Sequence, residues 1–267
     1  MADSPLRECW HKLSRGEEHL NTFNAERQGF LGGDPYSVAS EYDAKQSKYL
    51  FRLNILQTLP QARWATIIGD CVHNVRSALD YIAWRLAGSD LTDTKTMFPI
   101  YNAPEKFHDV EWRLRRIHEG ARAEICKLQP YGRSDPVSRL LWALQELDAR
   151  DKHKLLAMTA AMPQGASISV NVVHGSIPVL QFDVDFPEPR CEQDAILAEV
   201  ILASDSGNPQ VKVEGKFTFD IAFERGIIET TGDCFVSDAL RQILQTVNDV
   251  TRRFEQLIVD NPNWLPG

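Results

Sequence analysis

The stretch Gly69–Trp84, GDCVHNVRSALDYIAW, guides the interpretation of the whole chain, because it has helical periodicity without the usual charged face. One stripe is apolar and consists of Ile68, Val72, Val75, Leu79, Ile82 and Leu86. The opposite stripe consists of Thr66, Asp70, His73, Ser77, Asp80 and Trp84. These spacings predict a helix that buries its apolar stripe. A solvent-facing stripe is normally rich in Lys, Glu and Gln, so we expect this helix to be covered on both sides, at the centre of a bundle.

Buried Asp and His side chains need partners, because an uncompensated buried charge costs several kcal/mol. The segment LQELDARDKHKLL, residues 144–156, offers them: Glu146, Arg150, Asp151, Lys152 and His153. Arg76 is a further partner if it turns inward. Two interpretations stay open. The groups form a buried ionic network that fixes the helix register, or they line a site in which titrating groups are tuned.

The functional interpretation assigns roles by residue type. RNA cleavage needs a base or an acid near the 2′-hydroxyl and a cation that holds the phosphate. The predicted catalytic residues are His73, Arg76, Asp80 and His153. The predicted ligand-binding residues are Asp70, Asn74, Ser77, Tyr81, Asp151 and Lys152.

A metal site is a second alternative. Asp70-x-x-His73 and Glu8-x-x-His11 each place a carboxylate and an imidazole three residues apart, as di-iron bundles do. Carboxylate-x-x-His pairs are common by chance, so no metal ligand is assigned. The chain has no GxSxG elbow, glycine-rich phosphate loop, GxGxxG or HExxH, and no cofactor is predicted.

A basic stripe follows Pro104 and lies beside Trp112. Its members are Arg113, Arg115, Arg116, His118, Arg122 and Lys127. Such a stripe is able to track a phosphate backbone. The alternative is a solvated face balanced by Asp109, Glu111, Glu119 and Glu124.

HNVRSALDY followed by ARDKHK resembles an uncharacterised bacterial family with HNxRSALDxxxW and DKH signatures, over residues 64–156. More remotely, Arg76–Tyr81 is similar to the Arg-x4-6-His motif of HEPN domains. That resemblance implies a small helical bundle and RNA-binding or metal-independent RNase activity. Ser77 stands where the HEPN motif usually has Asn, and Tyr81 stands at the histidine position. A tyrosine, with an ordinary pKa near 10, does not serve as a base at neutral pH as histidine does.

The order of elements predicts an α+β fold in a single domain, residues 1–267. Residues 1–162 form a helical bundle, with helices over 5–31, 60–87, 104–128 and 136–160. Two alternatives stay open near 36–57: a short hairpin, or a helix over KYLFRLNILQTL, residues 48–59. Residues 166–231 form an antiparallel sheet, with turns at 175–176, 187–189 and 207–209. Residues 235–259 form a C-terminal helix with Ser237 as its N-cap.

Composition bounds the compartment and the partners. The 267 residues carry a net charge of −8, which argues against wholesale nucleic-acid coating but allows a local basic patch. No apolar run reaches the roughly 18 residues of a membrane span, and MADSPLRECWHKL, residues 1–13, has no basic-then-apolar signal pattern, so we expect a cytoplasmic protein without membrane contact. Five scattered cysteines predict buried reduced thiols. The expected partners are RNA or, in the non-catalytic alternative, a small ligand or a second copy paired through a sheet edge.

Overall fold

The structure is a computed structural model that describes residues 4–46, 48–88, 95–131, 135–161, 167–172, 181–183, 192–201, 211–224 and 235–265. Within these ranges the chain has an α+β fold, with helices, antiparallel strands in the C-terminal half and a long final helix. The predicted fold class is confirmed. The predicted turns at 175–176, 187–189 and 207–209 lie outside the described residues.

The described helices lie in three stretches of the sequence, separated by strands. The α-helices are α1 (Arg7–Gly32), α2 (Gln61–Ala87), α3 (Pro104–His108), α4 (Glu119–Lys127), α5 (Pro136–Asp151) and α6 (Val236–Asp260). Short 3-10 helices cover Glu111–Leu114 and Pro262–Trp264. No helix in the described ranges is long and apolar enough to cross a membrane.

Among the residues that the structure describes, the strands pair only in antiparallel fashion. They are β1 (Tyr36–Asp43), β2 (Lys48–Ile55), β3 (Met158–Ala161), β4 (Ser167–Val172), β5 (Gln181–Asp183), β6 (Ile196–Ile201), β7 (Val211–Lys216) and β8 (Asp220–Phe223). One sheet has the order β1-β2-β6-β5, and β3 pairs with β8 and β4 with β7.

The chain divides into two compact units. The first comprises residues 1–24, 61–157 and 225–267, and the second comprises residues 25–60 and 158–224. The single-domain organisation inferred from the sequence stays a prediction.

The first unit is built around α2, which packs against α5 and α6. Every member of its apolar stripe is buried, as predicted: Ile68, Val72, Val75, Leu79, Ile82 and Leu86. Gly16 brings α1 close to α2, because an added Cβ would lie 2.8 Å from Val75 Cγ2. Phe23 meets Trp64 edge to face at 5.4 Å, which closes the same core.

The second stripe of α2 corrects a prediction. Thr66, Asp70 and His73 are exposed, whereas Ser77, Asp80 and Trp84 are half-buried. The stripe is therefore covered only toward its C-terminal end. We expected burial to explain why the stripe has short polar side chains instead of Lys and Glu. At the N-terminal end of the stripe the side chains are exposed, so burial is not the explanation there.

The helix predicted over 136–160 begins as expected and ends early. Asp135 is its N-cap, accepting a hydrogen bond from the Ser138 amide, and Pro136 is its first residue. The helix ends at Asp151, and residues 158–161 form β3 instead. Lys152, His153 and Lys154 are all exposed, and the buried apolar residues resume at Leu156 and Met158, where the chain leads into β3.

The helix predicted over 104–128 is broken into α3, a 3-10 turn and α4. The His118 ring accepts a hydrogen bond from the Gly120 amide and caps α4, so a new helix begins there. Trp264 packs on Gly120, where a Cβ would lie 2.9 Å from the ring.

The N-cap prediction for α6 is also wrong. Phe235 is the N-cap, and Ser237 lies inside the first turn. Ser237 is buried and donates a hydrogen bond to Asn24 Oδ1. The hydroxyl therefore satisfies a contact with α1 rather than a helix terminus.

In the second unit the predicted hairpin forms, with Tyr36 opposite Ile55 and Asp43 opposite Lys48. It is not part of the helical bundle, because β2 pairs with β6. An isolated two-stranded hairpin is marginal in water, and β6 covers the open edge of β2. The core of this sheet contains Phe51, Ala198 and Val200.

The prediction of buried thiols agrees with the structure at Cys9 and Cys71 but not at Cys126. Cys9 and Cys71 are buried free thiols, and burial raises the pKa of each to about 12. Cys126 is a half-buried free thiol. Cys191 and Cys234 lie outside the described residues.

Candidate functional site

Arg76 turns inward from α2 and uses all three of its nitrogens. Nη1 donates to Asp80 Oδ1 at 2.7 Å, Nε to Gln145 Oε1 at 3.1 Å, and Nη2 to the Phe98 carbonyl at 2.7 Å. Asp80 Oδ1 also accepts the Phe98 amide at 2.9 Å. We call these four residues the Arg76 cluster. They tie α2, α5 and the strand-like segment at Phe98 together.

A second polar group lies nearer the N-terminus of α2, around a buried carboxylate of α5. Lys152 Nζ lies 2.6 Å from Asp148 Oδ2, and His73 Nδ1 lies 3.6 Å from Asp148 Oδ1. The Asp148 side chain is 5% exposed, whereas His73 and Lys152 are 59% and 56% exposed. The buried anion thus has two surface-facing partners, one of which is an imidazole.

Asp151 joins this group through a close contact with α2. Gly69 is buried, and a Cβ there would overlap the Asp151 carboxylate. A glycine inside a helix lowers the helix stability by about 1 kcal/mol relative to alanine. The close approach of Asp151 explains why glycine is nevertheless present at position 69.

The pKa of Asp151 is raised above its ordinary value, first by burial and then by the carboxylates of Asp148 and Asp70. His73 and Lys152 act in the opposite direction. These five residues therefore influence one another electrostatically, and we call them the Asp148 cluster: Asp70, His73, Asp148, Asp151 and Lys152.

The predicted site residues divide between the two clusters. Arg76 and Asp80, predicted as catalytic, lie in the buried Arg76 cluster, where their contacts serve packing. His73, also predicted as catalytic, lies in the Asp148 cluster with three predicted ligand-binding residues, Asp70, Asp151 and Lys152.

The other predicted residues lie beside these clusters. The fourth catalytic candidate, His153, is exposed in the turn after α5, where its amide donates to the Arg150 carbonyl. Asn74 accepts a hydrogen bond from Lys12 Nζ at 3.3 Å and donates one to the Asp70 carbonyl. Ser77 and Tyr81 are half-buried on α2.

Sequence reasoning missed the residue at the centre of the site. Asp148 was not among the predicted partners, although it follows Leu144 and Leu147 on the buried face of α5. Its position one turn before Lys152 was the available signal, since residues four apart share a helix face. Gln145 was also missed, because only charged side chains were expected to pair with Arg76.

The Asp148 cluster is suited to proton transfer. Imidazole is the side chain best suited to exchange a proton near neutral pH, and His73 Nδ1 lies 3.6 Å from Asp148 Oδ1, beyond hydrogen-bond distance. Lys152 offsets part of the negative charge of Asp148. The exposed imidazole is then able to accept or donate a proton at the protein surface.

The metal alternative gains no support from the described residues. Among them, no group of three or more His, Cys, Asp or Glu side chains is arranged to hold a metal ion. Glu8 and His11 are both exposed on α1.

A surface cleft of about 570 Å³ lies beside α1 in the first unit. Its lining consists of Arg7, Trp10, His11, Leu13, Ser14, Glu17 and Asn248. The indole nitrogen of Trp10 donates to Glu255, which fixes the ring at the cleft. The volume lies in the range of small-molecule sites.

The chain matches no protein-family model, no curated protein and no solved structure. The resemblances noted in the sequence therefore stay hypotheses, and the geometry alone has to support a function.

Proposed function

We propose that this protein is an RNA-cleaving enzyme in which His73 acts as the general base. The observation that carries the proposal is the His73–Asp148–Lys152 arrangement, in which a buried carboxylate lies next to an exposed imidazole and is paired with an ammonium group. In the Arg76 cluster, by contrast, the cation is buried and all three of its nitrogens donate to acceptors within the protein.

The reaction that fits these groups is internal transesterification. His73 takes the proton from a ribose 2′-hydroxyl, and the oxygen attacks the adjacent phosphorus. The bond from phosphorus to the 5′-oxygen breaks, and that oxygen takes a proton. We assign Asp151 as the proton donor, because its raised pKa means that it stays protonated to a higher pH than an ordinary aspartate.

The local charge decides how a polyanion would approach. Asp70, Asp148 and Asp151 are negative, but Lys152 neutralises part of that charge. The turn that ends α5 adds exposed cations at Arg150 and Lys154 and the exposed His153. We assign the phosphate contact to this turn, and the ribose to the side of His73.

The same proposal places the protein in the cytoplasm, where thiols stay reduced. The free and buried Cys9 and Cys71 support this assignment. The prediction of a second copy as partner also stays open, and analytical ultracentrifugation of the full chain tests it.

The decisive experiment compares cleavage of a fluorescent oligoribonucleotide by the wild type, His73→Gln and Asp148→Asn. Loss of a general base typically slows a reaction about 100- to 10,000-fold, and we expect a loss in that range for His73→Gln. Asp148→Asn should lower the rate less and shift its pH profile, because the imidazole loses its anionic partner.

His108→Gln is the matched control. His108 also lies beside a carboxylate, at 3.4 Å from Glu111, but both side chains are exposed. Its removal should leave the rate unchanged. No cleavage by wild type, or equal rates for wild type and His73→Gln, would refute the proposed function.

The cleft beside α1 supports a second candidate function, the binding of a small aromatic carboxylate. Trp10 and Leu13 supply apolar surface, and Arg7 supplies a cation. Ligand-observed NMR with 2-naphthoate tests this candidate. Binding should be lost in Trp10→Ala and kept in Arg15→Gln, which changes an α1 side chain outside the lining.

A further inference from the structure

Trp112 is a large aromatic side chain that the fold leaves at the surface. It lies in the 3-10 helix Glu111–Leu114 and is 45% exposed. Leu114 and Ile117, on the same stretch, are 1% and 2% exposed. The stretch is therefore anchored by its aliphatic residues, and the position of Trp112 at the surface is not the result of a loosely held segment.

Three cations surround the exposed indole. Lys95 Nζ lies 5.9 Å from the ring centroid, and the guanidinium carbons of Arg113 and Arg115 lie at 5.7 Å and 5.9 Å. Such distances allow cation–π attraction, which holds the charged groups around the ring. Arg116, next in the chain, is also exposed and donates to the Gly88 carbonyl.

We call this surface the Trp112 patch: Lys95, Trp112, Arg113, Arg115 and Arg116. It carries four positive charges in a chain whose net charge is −8. The nearby carboxylates in the sequence are Asp90, Asp93, Asp109 and Glu111, and Glu111 lies 3.4 Å from His108. The patch therefore concentrates several cations around one exposed indole.

The rest of the basic stripe seen in the sequence does not belong to the patch. Lys127 pairs with Glu124, and Arg122 is half-buried with its Nε atom inaccessible to solvent. His118 caps α4 and stacks on Trp264. The structure thus narrows the candidate surface to the residues around Trp112.

We propose that the Trp112 patch binds single-stranded RNA, with a base stacked on the indole and phosphates held by the surrounding cations. Proteins that bind single strands combine these two features, because every base has a π face and every nucleotide carries a phosphate. An acidic peptide would use the cations but leave the exposed indole without a planar partner. The choice of RNA over DNA rests on the proposed function, whereas the stacking and charge argument does not.

Binding is measured separately from cleavage with a fluorescent 12-nucleotide 2′-O-methyl oligouridine, which lacks the attacking hydroxyl. Fluorescence anisotropy of the full chain gives Kd over a salt series. Trp112→Ala should raise Kd roughly 5- to 100-fold, the range for the loss of one stacked base. Trp112→Phe should keep most of the affinity, because a phenyl ring still stacks.

Arg115→Gln tests the electrostatic part. It should weaken binding and reduce the slope of log Kd against log salt by about 0.7, the value for one phosphate contact on a single strand. Arg252→Gln is the matched control, since Arg252 is an exposed cation paired with Asp249 on α6. Circular dichroism confirms that each variant keeps its helices.

The outcomes separate this inference from the proposed function. Binding that depends on Trp112 but is followed by no cleavage of ordinary RNA would support the patch and refute the enzyme. Cleavage that depends on His73, with binding equal in wild type and Trp112→Ala, would refute the patch alone. No binding by wild type, or equal competition by polyglutamate and oligouridine, would also overturn the inference.

Discussion

Two polar clusters lie between the same two helices, α2 and α5, and they differ in which charge is buried. In the Arg76 cluster the cation is buried at 7% exposure, with every nitrogen bound to an acceptor. In the Asp148 cluster the anion is buried at 5%, and its two partners extend into solvent. The first cluster is closed by its own contacts, whereas the second presents groups that a substrate is able to reach.

The difference shows why a mixture of charged residues does not by itself reveal a site. The Arg76 guanidinium is buried and uses three of its five N–H donors within the protein, so little of it is accessible to a substrate. The His73 imidazole lies 3.6 Å from Asp148 and makes no hydrogen bond to it, so both ring nitrogens are accessible to a substrate. We therefore expect the Arg76 cluster to dominate stability and the Asp148 cluster to dominate function.

The largest expected effect on stability belongs to Asp80→Ala. The change would leave the buried Arg76 without its anionic partner and the Phe98 amide without its acceptor. Breaking a buried pair costs about 3–5 kcal/mol, and we expect the lower end because Asp80 is 35% exposed. Urea denaturation followed by circular dichroism measures the change.

Glu146→Ala is the control for that experiment. Glu146 and Arg150 form a partly exposed pair at 3.9 Å on α5, and such pairs contribute about 0–1 kcal/mol. If Asp80→Ala cost no more than Glu146→Ala, the two clusters would not differ as described.

The sequence predicted which side chains of α2 are buried, because the apolar stripe from Ile68 to Leu86 has unambiguous helical spacing. It did not predict the breaks between Pro104 and Lys127. Phe107, Leu114, Ile117, Ala121 and Ile125 are all buried, and their spacing also fits one continuous helix. The buried residues keep a helical spacing across the 3-10 helix and the N-cap of α4. The sequence pattern alone therefore did not reveal that the helix is interrupted.

The candidate site was predicted in its members but not in its centre. His73, Asp151 and Lys152 were identified because charged residues on a helix face need partners. Asp148 was missed because its partners depend on how α2 and α5 cross, which sequence spacing does not encode. The pairing of β2 with β6 was missed for the same reason, since it joins segments about 150 residues apart.

A smaller effect is expected at Gly69, which probes the contact between α2 and the Asp148 cluster. Gly69→Ala should gain about 1 kcal/mol of helix propensity but lose about 1–3 kcal/mol, because the methyl group displaces the Asp151 carboxylate. In an Asp151→Ala background the clash is absent, and the same change should stabilise the protein.

A double-mutant cycle in urea measures this coupling. A coupling free energy of about 1 kcal/mol or more places Asp151 against Gly69, as the structure does. Equal effects of Gly69→Ala in both backgrounds would separate the two residues and remove Asp151 from the cluster.

The smallest expected effect is a dependence of the free energy of unfolding on pH. The sign of this dependence distinguishes Asp151, whose pKa is raised, from a carboxylate whose pKa is lowered by an ion pair. In the folded state the pKa of Asp151 is raised above its ordinary value of 3.8. At pH values between the ordinary pKa and the raised pKa, the folded state therefore binds more protons than the unfolded state. The free energy of unfolding contributed by Asp151 therefore falls as pH rises through this window. Asp151→Asn should remove the fall, and its stability relative to wild type should increase from pH 3.5 to pH 7.

Glu124 provides the opposite sign within the same unit. The hydrogen bond from Lys127 lowers the pKa of Glu124 against the effect of burial, and Arg253 lowers it further. Its contribution to stability is present above the ordinary value of 4.5 and is lost as pH falls through the lowered pKa, so Glu124→Gln should lose stability relative to wild type as pH rises. Thermal melts of the three proteins across this pH range measure both trends. If the stabilities of Asp151→Asn and Glu124→Gln relative to wild type changed with pH in the same direction, the surroundings of Asp151 would stabilise its ionised form, as those of Glu124 do. Asp151 would then have no raised pKa with which to serve as the proton donor.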